Sequence, residues 1–229
     1  MTVSTYGVDV SGYQPDGRVP WSDPRVGYGI VKATENVTRS KGLAYHVAAI
    51  RKEQGARMAE AGDAVLQLGL YHFFHVESPV AQQLAAFNSA AIDVGYGIGD
   101  IIPAVDLEKY STHAVTPAWR EGSEELCAAL AQRYGGCMPY INDSVWYAMG
   151  KPAWVLNYDL WVPQYNYNGK LPLSECTASP RPGLPRLWQN YVGPMFGAVT
   201  GKLQESNSPV GVDQNMLYGE FQLILSLDS

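Results

Sequence analysis

Short β-rich apolar runs alternate with longer helical patterns through the first two thirds of this chain, and then the alternation stops. Residues 6–10, 29–33, 67–74, 101–107 and 137–141 have the length and side-chain content of strands. Helical patterns lie between them near 43–61, 80–92 and 117–134, and Ser78-Pro79 offers the second a cap followed by a proline for its first turn. Such alternation predicts parallel strands joined by right-handed crossovers. In the last third, residues 159–165, 186–191 and 211–217 also read as strands, but Pro- and Gly-rich segments join them. The stretch 171–185 contains Pro172, Pro180, Pro182 and Pro185, and nothing there supports a helix. Eight strands is a number that closes a barrel filled by side chains. The expectation is therefore an α/β fold: a single TIM-like barrel over residues 1–229, with helices after the first five strands and none between the last three. An open doubly wound sheet is the alternative. No second core or linker is visible.

Composition narrows the partners. A chain of 229 residues with 46% apolar and 17% charged residues is a folded globular protein long enough for one barrel. A net charge of −6, with Lys and Arg scattered singly, argues against nucleic acid, which calls for a basic face. No apolar run approaches the ~20 residues of a membrane span. Residues 1–10 hold no basic stretch followed by an apolar core, so no secretory signal is expected. Cys127, Cys137 and Cys176 are odd in number and lack metal-type spacing, and read as buried or incidental thiols.

In barrels of this kind, catalytic groups come from the C-terminal ends of strands and the loops after them. Asp9 falls at the end of the first strand, Asp106 and Glu108 at the end of the fourth, and Asp213 in the eighth. Residues two apart on a strand share a face, so Asp106 and Glu108 should point the same way. Buried carboxylates are costly unless paired, and the preceding Ile101-Ile102-Pro103-Ala104-Val105 run offers no cation. The plain alternatives are a solvated strand end for the pair and a turn residue for Asp9. In a sugar-binding mouth, however, one carboxylate donates a proton to the leaving glycosidic oxygen while the other stays ionised. Crowding raises the proton affinity of the most desolvated acid, and that role is assigned to Glu108.

At these residues the sequence resembles glycoside hydrolase family 25, a family of lysozymes common among phage lysins. The opening Gly7-Val8-Asp9-Val10-Ser11-Gly12-Tyr13-Gln14 matches the pattern G-x-D-x-S-x-x-Q. Val31-Lys32-Ala33-Thr34-Glu35, Gly69-Leu70-Tyr71-His72-Phe73 and Val105-Asp106-Leu107-Glu108 follow in family order. Leu160-Trp161, Leu187-Trp188-Gln189 and Gly211-Val212-Asp213-Gln214-Asn215 complete it. The resemblance implies a β/α barrel that cleaves the β-1,4 bond between N-acetylmuramic acid and N-acetylglucosamine in bacterial peptidoglycan, with no cofactor and no metal. Carried over by position, Glu108 is the acid, Asp106 its partner, and Asp9 and Asp213 the remaining acids. Tyr71, Tyr140, Trp161, Tyr165 and Gln189 fall where the family lines its groove. A monomer is expected, made in the cytoplasm and released to the wall by a separate factor, as phage lysins are. Three departures stand out: Asn36 where the family has Gly, an added residue in Trp188-Gln189-Asn190-Tyr191, and unmatched loops at 76–78 and 165–185.

Other features are set aside. His72 and His75, three apart on a strand, face opposite sides and cannot easily share an ion. Gly95-Tyr96-Gly97-Ile98-Gly99 leads into a strand and lacks lysine, so it is a loop and not a phosphate cradle. Asn36-Val37-Thr38 and Asn142-Asp143-Ser144 fit the glycosylation pattern, which arises readily by chance. Lys32 and Glu35 read equally as an ion pair or as substrate contacts. A chitinase-type barrel would want aspartates where Ile101 and Ala104 stand. A barrel that binds glycan without cutting it is the rival of another class, but the acids that such a binder would lose are all present.

Overall fold

The computed structural model describes residues 6–14, 19, 21–62, 66–108, 115–163, 187–193, 212–217 and 222–227. Nine strands and four α-helices are among them. In chain order they are β1 (Tyr6–Val10), β2 (Tyr28–Glu35), β3 (Thr38–Arg39), α1 (Leu43–Ala61), β4 (Gln67–Phe73), α2 (Val80–Asp93) and β5 (Ala104–Asp106). Then come α3 (Pro117–Tyr134), β6 (Met138–Tyr140), α4 (Asp143–Ala148), β7 (Trp161–Pro163), β8 (Leu187–Gly193) and β9 (Val212–Leu217).

Seven of the strands are mutually parallel, in the order β1-β2-β4-β5-β6-β7-β8. They curl around an inner face, while the helices cover the outer one. Strands buried on both faces read as nearly continuous apolar runs, and β2 is buried from Tyr28 to Thr34. Outer-face packing leaves no room for side chains at some positions. A Cβ at Gly29 would lie 2.5 Å from the Trp21 ring and 2.8 Å from Ile50 of α1.

The expected eight-stranded TIM-like barrel is corrected by three observations. The strand β9 runs antiparallel to both neighbours, β8 and β1. No helix is found among the described residues between β1 and β2, so helices do not follow each of the first five strands. The short β3 is an added hairpin partner of β2. The fold is a distorted α/β architecture on a curled parallel sheet, with β9 reversed beside it. The reversal is topologically simple, because antiparallel neighbours need no crossover helix.

Local chemistry accounts for several element ends. Thr116 caps α3, its hydroxyl accepting from Trp119 N, and Gly135 ends that helix at φ 76°. Asn142, set aside above as a chance glycosylation match, is the N-cap of α4, accepting from Val145 N at 2.9 Å. The expected Ser78 cap is corrected: Pro79 occupies the N-cap of α2 and no side chain caps it. The Gln83 amide turns back instead, donating to the carbonyls of His75 and Ser78. Strand 101–107 shortens to β5 because Pro103 has no N–H for the ladder, and Ile101 pairs separately with Leu223. Cys127 and Cys137 are free and buried, as read from the sequence, and Cys176 lies outside the described residues.

Candidate active site

The carboxylates meet at the C-terminal ends of neighbouring parallel strands. Asp106 is the last residue of β5, in register with Phe73 of β4 and Tyr140 of β6. Glu108 follows two residues later and lies within electrostatic reach of Asp106, as does Asp9 from β1. Asp9 and Asp106 are 6% and 8% exposed, whereas Glu108 is only half-buried. Asp213 stands opposite Asp9 in the β1–β9 register. Gln189 lies in β8 opposite Pro163 and Asn215. The side chains of Asp213 and Gln189, and the whole of Tyr165, lie outside the described residues.

Both members of the pair hold a proton more tightly than an ordinary carboxyl. Burial raises Asp106 well above the usual range, and repulsion from Glu108 adds to it, while Lys32 works in the opposite direction. Burial also raises Glu108, against a hydrogen bond from Tyr140 and the charge of Lys32. Sequence reasoning took Glu108 as the more desolvated acid, but desolvation is deeper at Asp106. Its Oδ1 is buried and accepts no hydrogen bond among the described residues.

Aromatic rings floor one flank. Tyr140 and Trp161 meet edge to face at 4.7 Å between centroids, and Tyr71 meets Trp161 at 6.0 Å. All three are 7% exposed or less, so they form a packed floor beside the carboxylates and not open platforms.

The other flank is polar. A cavity of about 500 Å³ opens over the ends of β1, β2 and β4, lined among others by Ser11, Tyr13, Lys32, Glu35, Lys41 and His75. Lys32 Nζ bonds Glu35 Oε2 at 2.6 Å and sits over the Phe73 ring at 4.7 Å. His75 Nε2 approaches Glu35 Oε1 at 3.3 Å, and its Nδ1 approaches Glu77 at 3.3 Å. His72 faces the helices. Because the Gln83 amide nitrogen donates to two carbonyls, its Oε1 must accept, here from His72 Nε2 at 3.0 Å. The other ring nitrogen then accepts from Thr34 Oγ1 at 2.7 Å. Burial pushes the His72 pKa down to about 4, which keeps the ring neutral. The two histidines thus serve opposite faces.

Two sequence departures resolve as backbone geometry. Asn36, in the place of a glycine, has φ 52°, and asparagine tolerates that left-handed region better than most residues. Asn190 is the unpaired residue of a register shift in β8, between Gln189↔Asn215 and Tyr191↔Gln214, so the added residue is a β-bulge. Sequence reasoning left Lys32 and Glu35 as an ion pair or as substrate contacts, and the structure shows the ion pair. A signal was present: a lysine within the otherwise apolar Ile30-Val31-Lys32-Ala33 run.

Comparison with known proteins supplies a family and a fold. The sequence pattern of Glycosyl hydrolases family 25 matches residues 8–189. No curated protein is a significant sequence match. Among solved structures, a family 25 glycosyl hydrolase from Bacillus anthracis is 20% identical with a TM-score of 0.63, over 96% of this chain and 92% of that one. The catalytic domain of endolysin ply40 from Listeria monocytogenes bacteriophage P40 is 20% identical with a TM-score of 0.64, over 96% and 95%. A lysozyme from Streptomyces coelicolor is 19% identical with a TM-score of 0.61, over 96% and 94%. At these identities the structural likeness is one of fold.

Proposed function

The chain belongs to Glycosyl hydrolases family 25, and from that membership we propose that Glu108 protonates the departing glycosidic oxygen while Asp106 provides the opposing negative charge. The protein is a glycoside hydrolase of the muramidase type, and peptidoglycan is the polymer it cleaves. The bond proposed to break is the β-1,4 link between N-acetylmuramic acid and N-acetylglucosamine. Water adds across it, the hydroxyl going to the anomeric carbon and the proton to the leaving oxygen.

The observation that carries these roles is the pair itself. Asp106 and Glu108 lie within electrostatic reach of each other and both hold protons unusually well, but their surroundings differ. Glu108, half-buried and touched by the Tyr140 hydroxyl, is the one a glycosidic oxygen can reach. Asp106 is deeper, and its unpartnered Oδ1 suits a donor on the bound sugar. Asp9 adds a third negative charge near the developing cation. On the strength of the family pattern alone, Asp213 is proposed as a further catalytic acid, and Tyr165 and Gln189 as groove residues. A lysin-type, wall-weakening role is the corresponding biological proposal, with the enzyme delivered to the wall by a separate factor.

The test is the release of new reducing ends from purified peptidoglycan by the native protein and by Glu108→Gln, with the terminal sugar identified by mass spectrometry. Ends in N-acetylmuramic acid, lost at least 100-fold in the variant, are expected from the usual size of acid catalysis, roughly 10²–10⁴. Binding to walls of several chemotypes without any release would replace the enzyme with a glycan-binding domain.

A further inference from the structure

The polar cavity differs in charge from the molecule that holds it. The chain carries −6 overall, yet among the described residues the lining has three cations, Lys32, Arg39 and Lys41, against one carboxylate, Glu35. Two of the cations are already engaged. Lys32 bonds Glu35 at 2.6 Å, and Arg39 reaches Asp93 at the end of α2, also at 2.6 Å. Lys41 makes no hydrogen bond or ion pair among the described residues. Its stem borders the turn after β1, where a Cβ at Gly12 would lie 3.7 Å from Lys41 Cβ.

The backbone builds this wall. In the β2–β4 register Lys32 faces Tyr71 and Thr34 faces His72, so Ala33 is the unpaired residue of a bulge. The Ala33 carbonyl accepts instead from Ser40 N at 2.9 Å, which ties the segment leading to Lys41 onto β2. Asn36 adds an amide to the same lining. It stands where the family has glycine, and its Oδ1 is buried without a hydrogen-bond partner. An acceptor left in that state is costly, and a turn about χ2 would present it to the cavity. Glu35, Phe73 and Asp106 stand in one register row, so the wall lies two strand spacings, about 10 Å, from Asp106. A substituent on a sugar beside the broken bond spans such a distance.

We propose that this cavity is a subsite for the carboxylate-bearing side arm of a muramyl residue, with Lys41 pairing the carboxylate and Asn36 accepting from an N–H beside it. The proposal rests on the muramidase reading given above. The polymer supplies the chemistry: each muramyl sugar carries a lactyl ether whose carboxyl is either free or amide-linked to a peptide with carboxylates of its own. A neutral sugar has nothing for Lys41 to pair with. Because Lys41 is exposed, the pair is of modest strength and selects among strands without taking part in the cleavage.

The experiment compares KM on two soluble substrates: strands that keep acidic peptides, and strands stripped of them by an amidase, which frees the lactyl carboxyl. Lys41→Gln should raise KM about two- to fivefold, the size of one exposed ion pair, on one of the two and not on the other. Lys41→Arg should keep the native value. A loss confined to peptide-bearing strands places a peptide carboxylate at Lys41, and a loss confined to stripped strands places the lactyl carboxylate there. Asn36→Gly, which the φ of 52° readily admits, should weaken the same substrate. Equal losses on both substrates, or none on either, would overturn the proposal. Failure of the native protein to cleave either would remove the muramidase reading instead. Equilibrium binding of the two kinds of strand to the same variants then decides the subsite by the same pattern.

Discussion

Asp106 shows how a single residue trades stability for chemistry. Its carboxyl is buried, repelled by Glu108 and short of a hydrogen bond at Oδ1. Its folded-state pKa lies above the unfolded value, so the native state binds its proton more tightly than the unfolded chain does. The stability it contributes is therefore full below the unfolded pKa, near 3.8, and is lost as pH rises through the raised folded value. Asp106→Asn cannot ionise and escapes that loss. The variant should melt above the native protein at neutral pH, and the gap should close as pH falls toward 4, while cleavage of peptidoglycan drops at least tenfold. Thermal melts across that range decide it. A variant less stable than the native protein at pH 7 would mean that Asp106 has a stabilising partner and is not a strained catalytic group.

At the scale of elements, strands pack where side chains are missing as much as where they are present. Gly7 of β1 lies beside Tyr28 of β2 in register, and a Cβ there would sit 2.3 Å from the fully buried Tyr28 ring. Gly7→Ala should cost about 1–3 kcal/mol as overpacking. Gly55, within α1, has nothing within 4 Å of the point a methyl group would occupy, so Gly55→Ala should gain about 0.5–1 kcal/mol from helix propensity. Denaturant midpoints of the two variants moving in opposite directions would establish the contrast, and a neutral Gly7→Ala would show that Tyr28 can yield. These elements were largely legible in the sequence. α1 and α3 have the bounds that the helical pattern predicts, and Asp106 and Glu108 were placed together by a two-residue spacing at a strand end. What stayed hidden follows from geometry that a period cannot express. A bulge at Ala33 or Asn190 changes which face a residue takes without changing composition. The reversal of β9 depends on which edges remain to be paired, a property of the whole sheet. Lys32 and Glu35 read equally as an ion pair or as substrate contacts in the sequence, and the structure shows the ion pair.

At the scale of the molecule, the carboxylates divide two unlike flanks. On the β6–β7 side lies the packed floor of Tyr71, Tyr140 and Trp161; on the β1–β2 side lies the polar cavity of about 500 Å³. A glycan strand lying across Glu108 must extend in both directions from the broken bond, so one arm runs toward the cavity. Tyr13 stands on that rim and is 81% exposed, a ring with an open face where the others are covered. Binding energy gathered there acts on sugars remote from the reacting bond, so its loss should depend on chain length. Tyr13→Ala should raise KM for strands of several disaccharides about three- to tenfold, as expected for one ring contact of about 1 kcal/mol, with kcat little changed. The shortest fragment that the enzyme cleaves should be unaffected if it leaves the cavity empty. Steady-state kinetics over a series of defined chain lengths separates the possibilities. An equal loss at every length would place Tyr13 next to the scissile bond, and no loss at any length would take the cavity out of the substrate's path.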